Sequence, residues 1–395
     1  MSGQPATGAP PPASAEIRSP LAAAVLIAVV GFQLRSVILG VPPVLPALRD
    51  DLDLSFTEAG TLTAVPVVCL GAAAIPGTLL VNRFGARLVV GAGTLGLGMA
   101  GLLRLAPPVP VALYVFSGLM ALCVAVAQPA MAMLMRSWFP GSVQRASAVF
   151  ASSLGLGGLA DSTLSVHLLA VGGWRGSFVA WSLLPLAAGA LWLRTAPGSG
   201  GGRQPESGGL RRLVRDRAVW HVAALFGGQS AVYYAAASWI PFELRSAGPG
   251  YLSLVLLALN TVNVPVGATL VALRWPWARS RRFYVLAGIL MTLGGAGFAL
   301  GLTGLAWLWA AVLGVGTTMT FTGSTVLPTL FARRSGEVPG YAALVLTAGY
   351  AISFAGPFLG GVLLDHTHRL TSPFWVTELA SVAIVVLGLT LPRRP

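Results

Sequence analysis

The chain has 395 residues, of which 55% are hydrophobic and 9% charged, with a formal net charge of +13. Soluble domains carry about a quarter charged residues, so this composition, with a mean hydropathy of +0.78, excludes an ordinary soluble fold and points to an all-α membrane protein. All 25 basic residues are arginine and fall in short clusters between apolar segments, not on one face, which argues against nucleic-acid binding.

Residues 1–20, rich in Pro, Ala, Ser and Gly, read as a disordered tail. No basic stretch leads directly into a short apolar core and cleavage site, which speaks against a removed signal peptide. Apolar segments then recur at about 21–45, 57–81, 87–105, 109–135, 145–169 and 175–193. After a polar stretch, six more run at about 218–242, 251–273, 282–303, 305–330, 339–364 and 373–391. Each suits a helical crossing of about 20 residues. The expected architecture is therefore twelve transmembrane helices in two six-helix bundles, over 21–194 and 218–391, joined by a linker at 195–217. Gly198-Ser199-Gly200-Gly201-Gly202 reads as flexible. Leu210-Arg211-Arg212-Leu213-Val214-Arg215 reads as a short basic amphipathic segment on the membrane surface.

With an internal N-terminus, the outer loops hold only Arg49, Arg104, Arg175, Arg245 and Arg369, while most other arginines fall on the cytoplasmic side. This positive-inside bias places both termini in the cytoplasm and the chain in the cytoplasmic membrane. Asp50, Asp51, Asp53 and Glu58 form an acidic lip at the first outer loop. Cys69 and Cys123 lie in apolar segments and read as packing residues. His167, His221, His366 and His368 lie near helix ends and supply neither a metal site nor a catalytic cluster. Gly93-Thr94-Leu95-Gly96-Leu97-Gly98 lies within a span without a strand or a Walker lysine, so helix packing explains it better than nucleotide binding. No cofactor is expected.

The halves echo each other at an offset of about 196 residues: Gln33 maps onto Gln229, Phe178 onto Phe374, Gln128 onto Ser324, and Pro46 and Pro241 follow their glutamines. Such a parallel repeat places a substrate site near the midplane, between the halves.

Gln33-Leu34-Arg35-Ser36, then Pro42, Pro43, Leu45-Pro46 and Asp50-Asp51-Leu52, resemble the first helix of the cyanate-transporter-like branch of the major facilitator superfamily, which includes 2-nitroimidazole transporters. Gln229-Ser230, Tyr233, Trp239-Ile240-Pro241, Gly349-Tyr350, Gly356-Pro357 and Asp365 are similar to later patterns of that branch. The likeness covers essentially the whole transmembrane region. It implies a secondary active transporter of a cyanate-like anion or a nitroheterocycle, working by alternating access. The superfamily's loop after the second helix reads Asp-Arg-x-Gly-x-Arg, and its counterpart is Asn82-Arg83-Phe84-Gly85-Ala86-Arg87. The resemblance assigns a conformational role to Asn82, Arg83, Gly85 and Arg87, although Asn82 stands where the family has an acid.

Arg35 is the sharpest single residue. A guanidinium at mid-membrane costs about 2.5–3.5 kcal/mol on insertion scales and needs a partner, a water-filled cavity or a substrate. At 1.5 Å per residue it lies roughly 21 Å from the inner end of its segment, and Asp161 lies roughly 24 Å along the fifth. Three readings stay open for the two: a buried ion pair, an Arg35 anchor for an anion, or a proton site at Asp161 modulated by Arg35.

Gln33 and Gln229 face each other across the expected pseudo-two-fold and suit a small polar ligand, or bind helices together. Of Tyr233 and Tyr234, adjacent on one helix, at most one is expected to line a cavity. Asn260 and Asn263 share a face, as do Thr317, Thr320 and Ser324, and Gln128 precedes Pro129. The expected partners are a small-molecule solute, the lipid bilayer and protons, with the chain acting as a monomer. Multidrug or metabolite efflux is the alternative within transport, and a membrane receptor the alternative outside it.

Overall fold

The computed structural model describes residues 19–72, 74–197, 210–273, 277–332, 334 and 337–392. The N-terminal tail before residue 19 and the linker glycines lie outside the described residues. Every predicted apolar segment is helical, but several are broken where the sequence reading had one continuous rod. The segment at 21–45 is α1 (Pro20–Leu39) and α2 (Val41–Leu52). The join falls at Gly40, followed by Pro42 and Pro43, which have no N–H to return to the carbonyls of Ile38 and Leu39. The second segment is α3 (Phe56–Ala72) and α4 (Ala74–Phe84), and the third and fourth are α5 (Ala86–Leu103) and α6 (Val109–Trp138). The fifth and sixth form α7 (Val143–Thr195), two helices joined at the single non-helical residue Gly173, φ 63° and ψ −174°. That sharp corner, without a loop, needs the freedom of glycine.

The linker's basic segment is one turn, α8 (Leu210–Leu213), too short to act as a surface helix in its own right. The second half opens with α9 (Arg217–Glu243) and continues with α10 (Pro249–Thr261) and α11 (Asn263–Ala272). These last two abut at Val262, where Pro265 cannot bond the Thr261 carbonyl. Next come α12 (Arg281–Ala299) and α13 (Ala306–Phe331). Two abutting helices follow, α14 (Val338–Ser353) and α15 (Ala355–Thr367), broken before Pro357, and α16 (Ser372–Leu389) ends the fold.

The chain is thus an all-α, multi-pass membrane protein. Among the described residues, eight helices or abutting pairs are long and apolar enough to cross a membrane. Pro20–Arg35 and Phe56–Ala72 are shorter apolar helices. Helix α9 is long enough to span but carries Gln229, Ser230, Tyr233, Tyr234 and Ser238, and these polar side chains keep it out of that set.

Packing repeats from one half to the other. Helix α1 lies along α7 as α9 lies along α14, α5 touches α6 as α12 touches α13, and α5 touches α7 as α12 touches α16. Glycines set the distances. A Cβ on Gly157 would overlap the Phe32 carbonyl of α1, and one on Gly356 the Ala231 carbonyl of α9. Gly101 approaches Ser182 as Gly295 approaches Glu378. Phe178 is covered by the Arg104 guanidinium, 4.0 Å from its centroid, where Phe374 stacks on Phe298 at 5.1 Å. Without a hydrophobic drive between helices in lipid, close backbone approach of this kind supplies the packing. Cys69 and Cys123 are free and face Gly118 and Gly96, consistent with packing roles.

At the end predicted to be outer, the halves are clasped. Asp365 of α15 accepts hydrogen bonds from Phe56 N at 2.9 Å, Thr57 N at 2.8 Å and Thr57 Oγ1 at 2.5 Å, capping α3 from the opposite half. Ser55 and Glu58 complete a capping box on the same turn, with Glu58 accepting from Ser55 N at 2.8 Å and Ser55 Oγ from Glu58 N at 3.1 Å. Gly361 and Gly60 let the backbones meet there, against Phe56 and Pro357. Asp51 pairs with Arg175 at 2.9 Å and accepts from Trp174 Nε1 at 3.1 Å, and Asp50 pairs with Arg49 at 2.9 Å. The acidic lip is therefore largely occupied with structural contacts.

Gly356→Leu is expected to lower stability in detergent by about 1–3 kcal/mol or more through overpacking, read as a fall in thermal midpoint. Leucine at Gly172, where a Cβ meets nothing within 4 Å, should leave the midpoint nearly unchanged. Equal midpoints for the two variants would show that the α9–α15 approach is not tight.

Candidate functional site

A cavity of about 360 Å³ lies where both halves meet. Its walls come from α1 (Arg35), α6 (Gln128), α7 (Ala151 to Gly158), α9 (Gln229 to Tyr234), the α10–α11 break (Asn260, Asn263), α13 (Thr317, Thr318, Phe321, Thr322) and α14 (Tyr350). Six of the residues expected to bind solute are thus brought together: Arg35, Gln128, Gln229, Tyr233, Asn260 and Asn263.

A polar relay crosses the cavity. The Arg35 guanidinium faces three phenols, Tyr233, Tyr234 and Tyr350, its electrostatic neighbours. Tyr233 Oη donates to Asn260 Oδ1 at 2.7 Å. Asn260 Nδ2 donates to Leu256 O at 2.9 Å and to Ser162 Oγ at 3.4 Å, returning to the first half. Asn263 Oδ1 accepts a short hydrogen bond from Thr318 Oγ1, and Gln229 Nε2 donates to Ser230 Oγ at 2.6 Å. Toward the Asp365 end, one turn beyond Tyr234, the Ser238 hydroxyl donates to Thr63 Oγ1 of the first half at 2.9 Å, and Trp239 is fully buried.

Three expected ligands sit elsewhere. Gln33 is 5% exposed and does not line the cavity. Two residues of helix separate it from Arg35, about 200° of rotation at 3.6 residues per turn, so the two face nearly opposite ways. Thr320 and Ser324 are fully buried. Thr320 Oγ1 bonds Gly316 O at 3.0 Å and touches Met291 Sδ at 3.8 Å, and Ser324 Oγ bonds Phe321 O at 3.0 Å. Their face of α13 packs on α12, where Gly316 meets Ala287 and Gly323 meets Tyr284. The cavity face is the neighbouring one, with Thr317, Thr318, Phe321 and Thr322.

Arg35 and Asp161 form no ion pair. Asp161 is fully buried beside Gly40, where a Cβ would overlap its Oδ1. Gly40 lies five residues beyond Arg35, roughly 7.5 Å along a helix, so equal depth was an error of more than a turn. Asp161 Oδ1 accepts from Ser165 Oγ at 3.1 Å, which accepts from Trp181 Nε1 at 2.8 Å. The cation within its electrostatic reach is Arg104, itself 1% exposed. Asp161 Oδ2 is buried with no hydrogen-bond partner among the described residues.

Tyr233 and Tyr234 both line the cavity, their ring centroids 5.3 Å apart at 75°, which corrects the expectation of one. Ser230 and Tyr350, which match the branch's patterns, and Thr318, Phe321 and Thr322 line the cavity without having been expected as ligands. Phenols well inside apolar segments were the available signal for Tyr234 and Tyr350, since a buried tyrosine needs a polar partner.

In the loop after α4, Gly85 takes φ 82° and N-caps α5. Arg87 Nη2 donates to Leu193 O at 2.7 Å and Trp192 Nε1 to Arg87 O at 2.9 Å, tying the loop to the last turn of α7, where a cation suits the carbonyl end. Arg83 lies over the Phe84 ring at 5.3 Å. Asn82, beside it, stays within the same half's helix α4.

Residues 21–354 match the family model of the Major Facilitator Superfamily. The chain is 25% identical over 369 residues to an uncharacterized transporter, YycB, of Bacillus subtilis (strain 168), covering 91% of this chain and 90% of that one. It is 25% identical over 372 residues to the cyanate transport protein CynX of Escherichia coli (strain K12), with 93% and 94% covered. Identity to the 2-nitroimidazole transporter of the same organism is 24% over 377 residues, again with 93% and 94% covered. Among solved structures, a bacterial homolog of the human lysosomal transporter Spinster, in an inward-facing and occupied conformation, superimposes with a TM-score of 0.73 at 16% identity, over 94% of each chain.

A double-mutant cycle tests the charge assignments. Arg104→Gln combined with Asp161→Asn should show a coupling of about 0.5–3 kcal/mol in stability, and Arg35→Gln combined with Asp161→Asn less than about 0.5 kcal/mol. The reverse ranking would restore the Arg35–Asp161 pair.

Proposed function

Because the chain belongs to the Major Facilitator Superfamily, whose members carry small solutes by secondary transport and are not enzymes, we propose that it moves a small polar or anionic organic solute, such as a cyanate-like anion or a nitroheterocycle. The observation that carries this reading is Arg35: a guanidinium in a cavity between the halves, with no carboxylate paired to it among the described residues. A charge so placed needs an anion or water.

The carrier works by alternating access in a twelve-helix arrangement, the halves at 21–194 and 218–391 rocking about the cavity. The repeated glycine contacts and the matched α1–α7 and α9–α14 packing support two equivalent bundles. The loop arginines support a cytoplasmic-membrane location with both termini inside. One copy suffices, because one chain supplies both walls of the site. Asp365, clasping α3, holds the outer end shut, and opening that end requires its hydrogen bonds to part. The loop at Asn82, Arg83, Gly85 and Arg87 is the conformational element of the first half. It is anchored through Arg87 to α7, without the family's acid.

Asp161 is the proposed proton site. It is buried, beside the α1–α2 break and outside the solute cavity, with one oxygen unpartnered. Protonation there would change what the Gly40 break packs against, and so the tilt of α1 that carries Arg35.

In proteoliposomes, Asp161→Asn is expected to abolish accumulation driven by an inward proton gradient while sparing counterflow of labelled solute. Undiminished proton-driven uptake in this variant would remove Asp161 from coupling.

A further inference from the structure

The chemical class of the solute can be narrowed further, and this step rests on the carrier reading above. Among the described residues the lining holds one cation, Arg35, and no aspartate, glutamate or histidine. The groups around its guanidinium are phenols: Tyr233, Tyr234 and Tyr350. None of these neutralises it, so a bound solute with one negative charge leaves the site neutral. A dianion would leave a second charge without a counter-ion in a medium of low dielectric, which is costly.

The flat walls bear on shape. Tyr234 stands edge-on to Tyr233. Tyr350 is braced edge-on by Phe226, centroids 5.0 Å apart at 88°, and Phe226 also meets Phe321 at 5.8 Å. The cavity's aromatic side is therefore backed by core rings and keeps its form. The hydroxyls of Tyr234 and Tyr350 make no hydrogen bond among the described residues, whereas that of Tyr233 is engaged with Asn260. Two phenol donors and the free edge of a guanidinium suit the two oxygens of a planar oxyanion, and the ring faces suit a ring.

Size points the same way. A linear ion of three heavy atoms would leave most of the 360 Å³ to water, each molecule taking about 30 Å³.

We infer that the cavity selects a ring-bearing organic monoanion of the aromatic carboxylate class, its carboxylate at Arg35 and its ring among Tyr234, Tyr350 and Phe321. The amides of Gln128 and Gln229, further round the wall, then read substituents on that ring.

Binding to the purified full-length protein, by calorimetry at fixed pH and salt, tests this with a matched series. Benzoate is the probe, nitrobenzene its neutral isostere, acetate the same charge without a ring, and phthalate the dianion. Benzoate is expected to bind at least about tenfold more tightly than each of the others, the scale of one charge-assisted contact. Arg35→Gln should erase the preference of benzoate over nitrobenzene. Tyr350→Ala should weaken benzoate several-fold while Tyr350→Phe weakens it less.

Nitrobenzene equal to benzoate would overturn the anion requirement, acetate equal to it the ring requirement, and phthalate tighter than it the single charge. These comparisons use the wild-type protein and hold even if a variant fails to fold. Counterflow separates the two layers: a neutral ligand that exchanges across the membrane overturns the monoanion class alone. Tight binding of benzoate without counterflow of any bound ligand overturns the carrier reading.

Discussion

A permanent charge inside a membrane has to be met by something, and much of this molecule is arranged around how that is done for Arg35. The first half supplies the guanidinium and the second supplies the phenols of Tyr233, Tyr234 and Tyr350. The relay then returns through Asn260 to Ser162 of the first half. The halves therefore meet across polar bonds at the cavity, while apolar contacts such as Phe56 against Phe242, ring centroids 5.6 Å apart, join them toward the Asp365 end.

The helix breaks belong to the same logic. Irregular backbone at membrane depth is tolerated only where protein or a cavity satisfies it. Here the break at Gly40 lies against Asp161, the break at Val262 separates the two cavity asparagines, and the break at Phe354 follows one turn after Tyr350. Prolines alone do not produce these breaks: α6 continues through Pro129 and α9 through Pro241. Elsewhere glycine-mediated contact keeps the rods straight and close, and the same contacts recur in both halves because the same distances must be kept.

Arg35 and Asp161 occupy separate surroundings. Arg35 lines the cavity between the halves, and Asp161 lies in an enclosed site with Ser165 and Trp181, with Arg104 within its electrostatic reach. Five residues of chain, from Arg35 to the Gly40 break, lie between the two. Where Phe298 stacks on Phe374 in the second half, the first half has Arg104 on Phe178. The repeat thus differs at this position, with a cation on the ring in the first half where the second half has a second ring.

Composition and hydropathy settled the all-α membrane class, because a continuous apolar run of about 20 residues can satisfy its own backbone in lipid only as a helix. The run of apolar segments located nearly every helix, and the mid-membrane arginine, four amides and one phenol located six cavity residues, because polar groups in lipid are expensive enough to stand out. What one dimension did not contain was azimuth. Gln33 and Arg35 are two residues apart and face opposite ways. Thr320 and Ser324 share a stripe that turned out to be the α12 contact. Asp161 matched Arg35 in estimated depth but not in place. Which face of each rod meets the cavity depends on how glycines let neighbouring rods approach, and on where a proline break turns the chain. Those are properties of pairs of helices, so only the tertiary structure decided them.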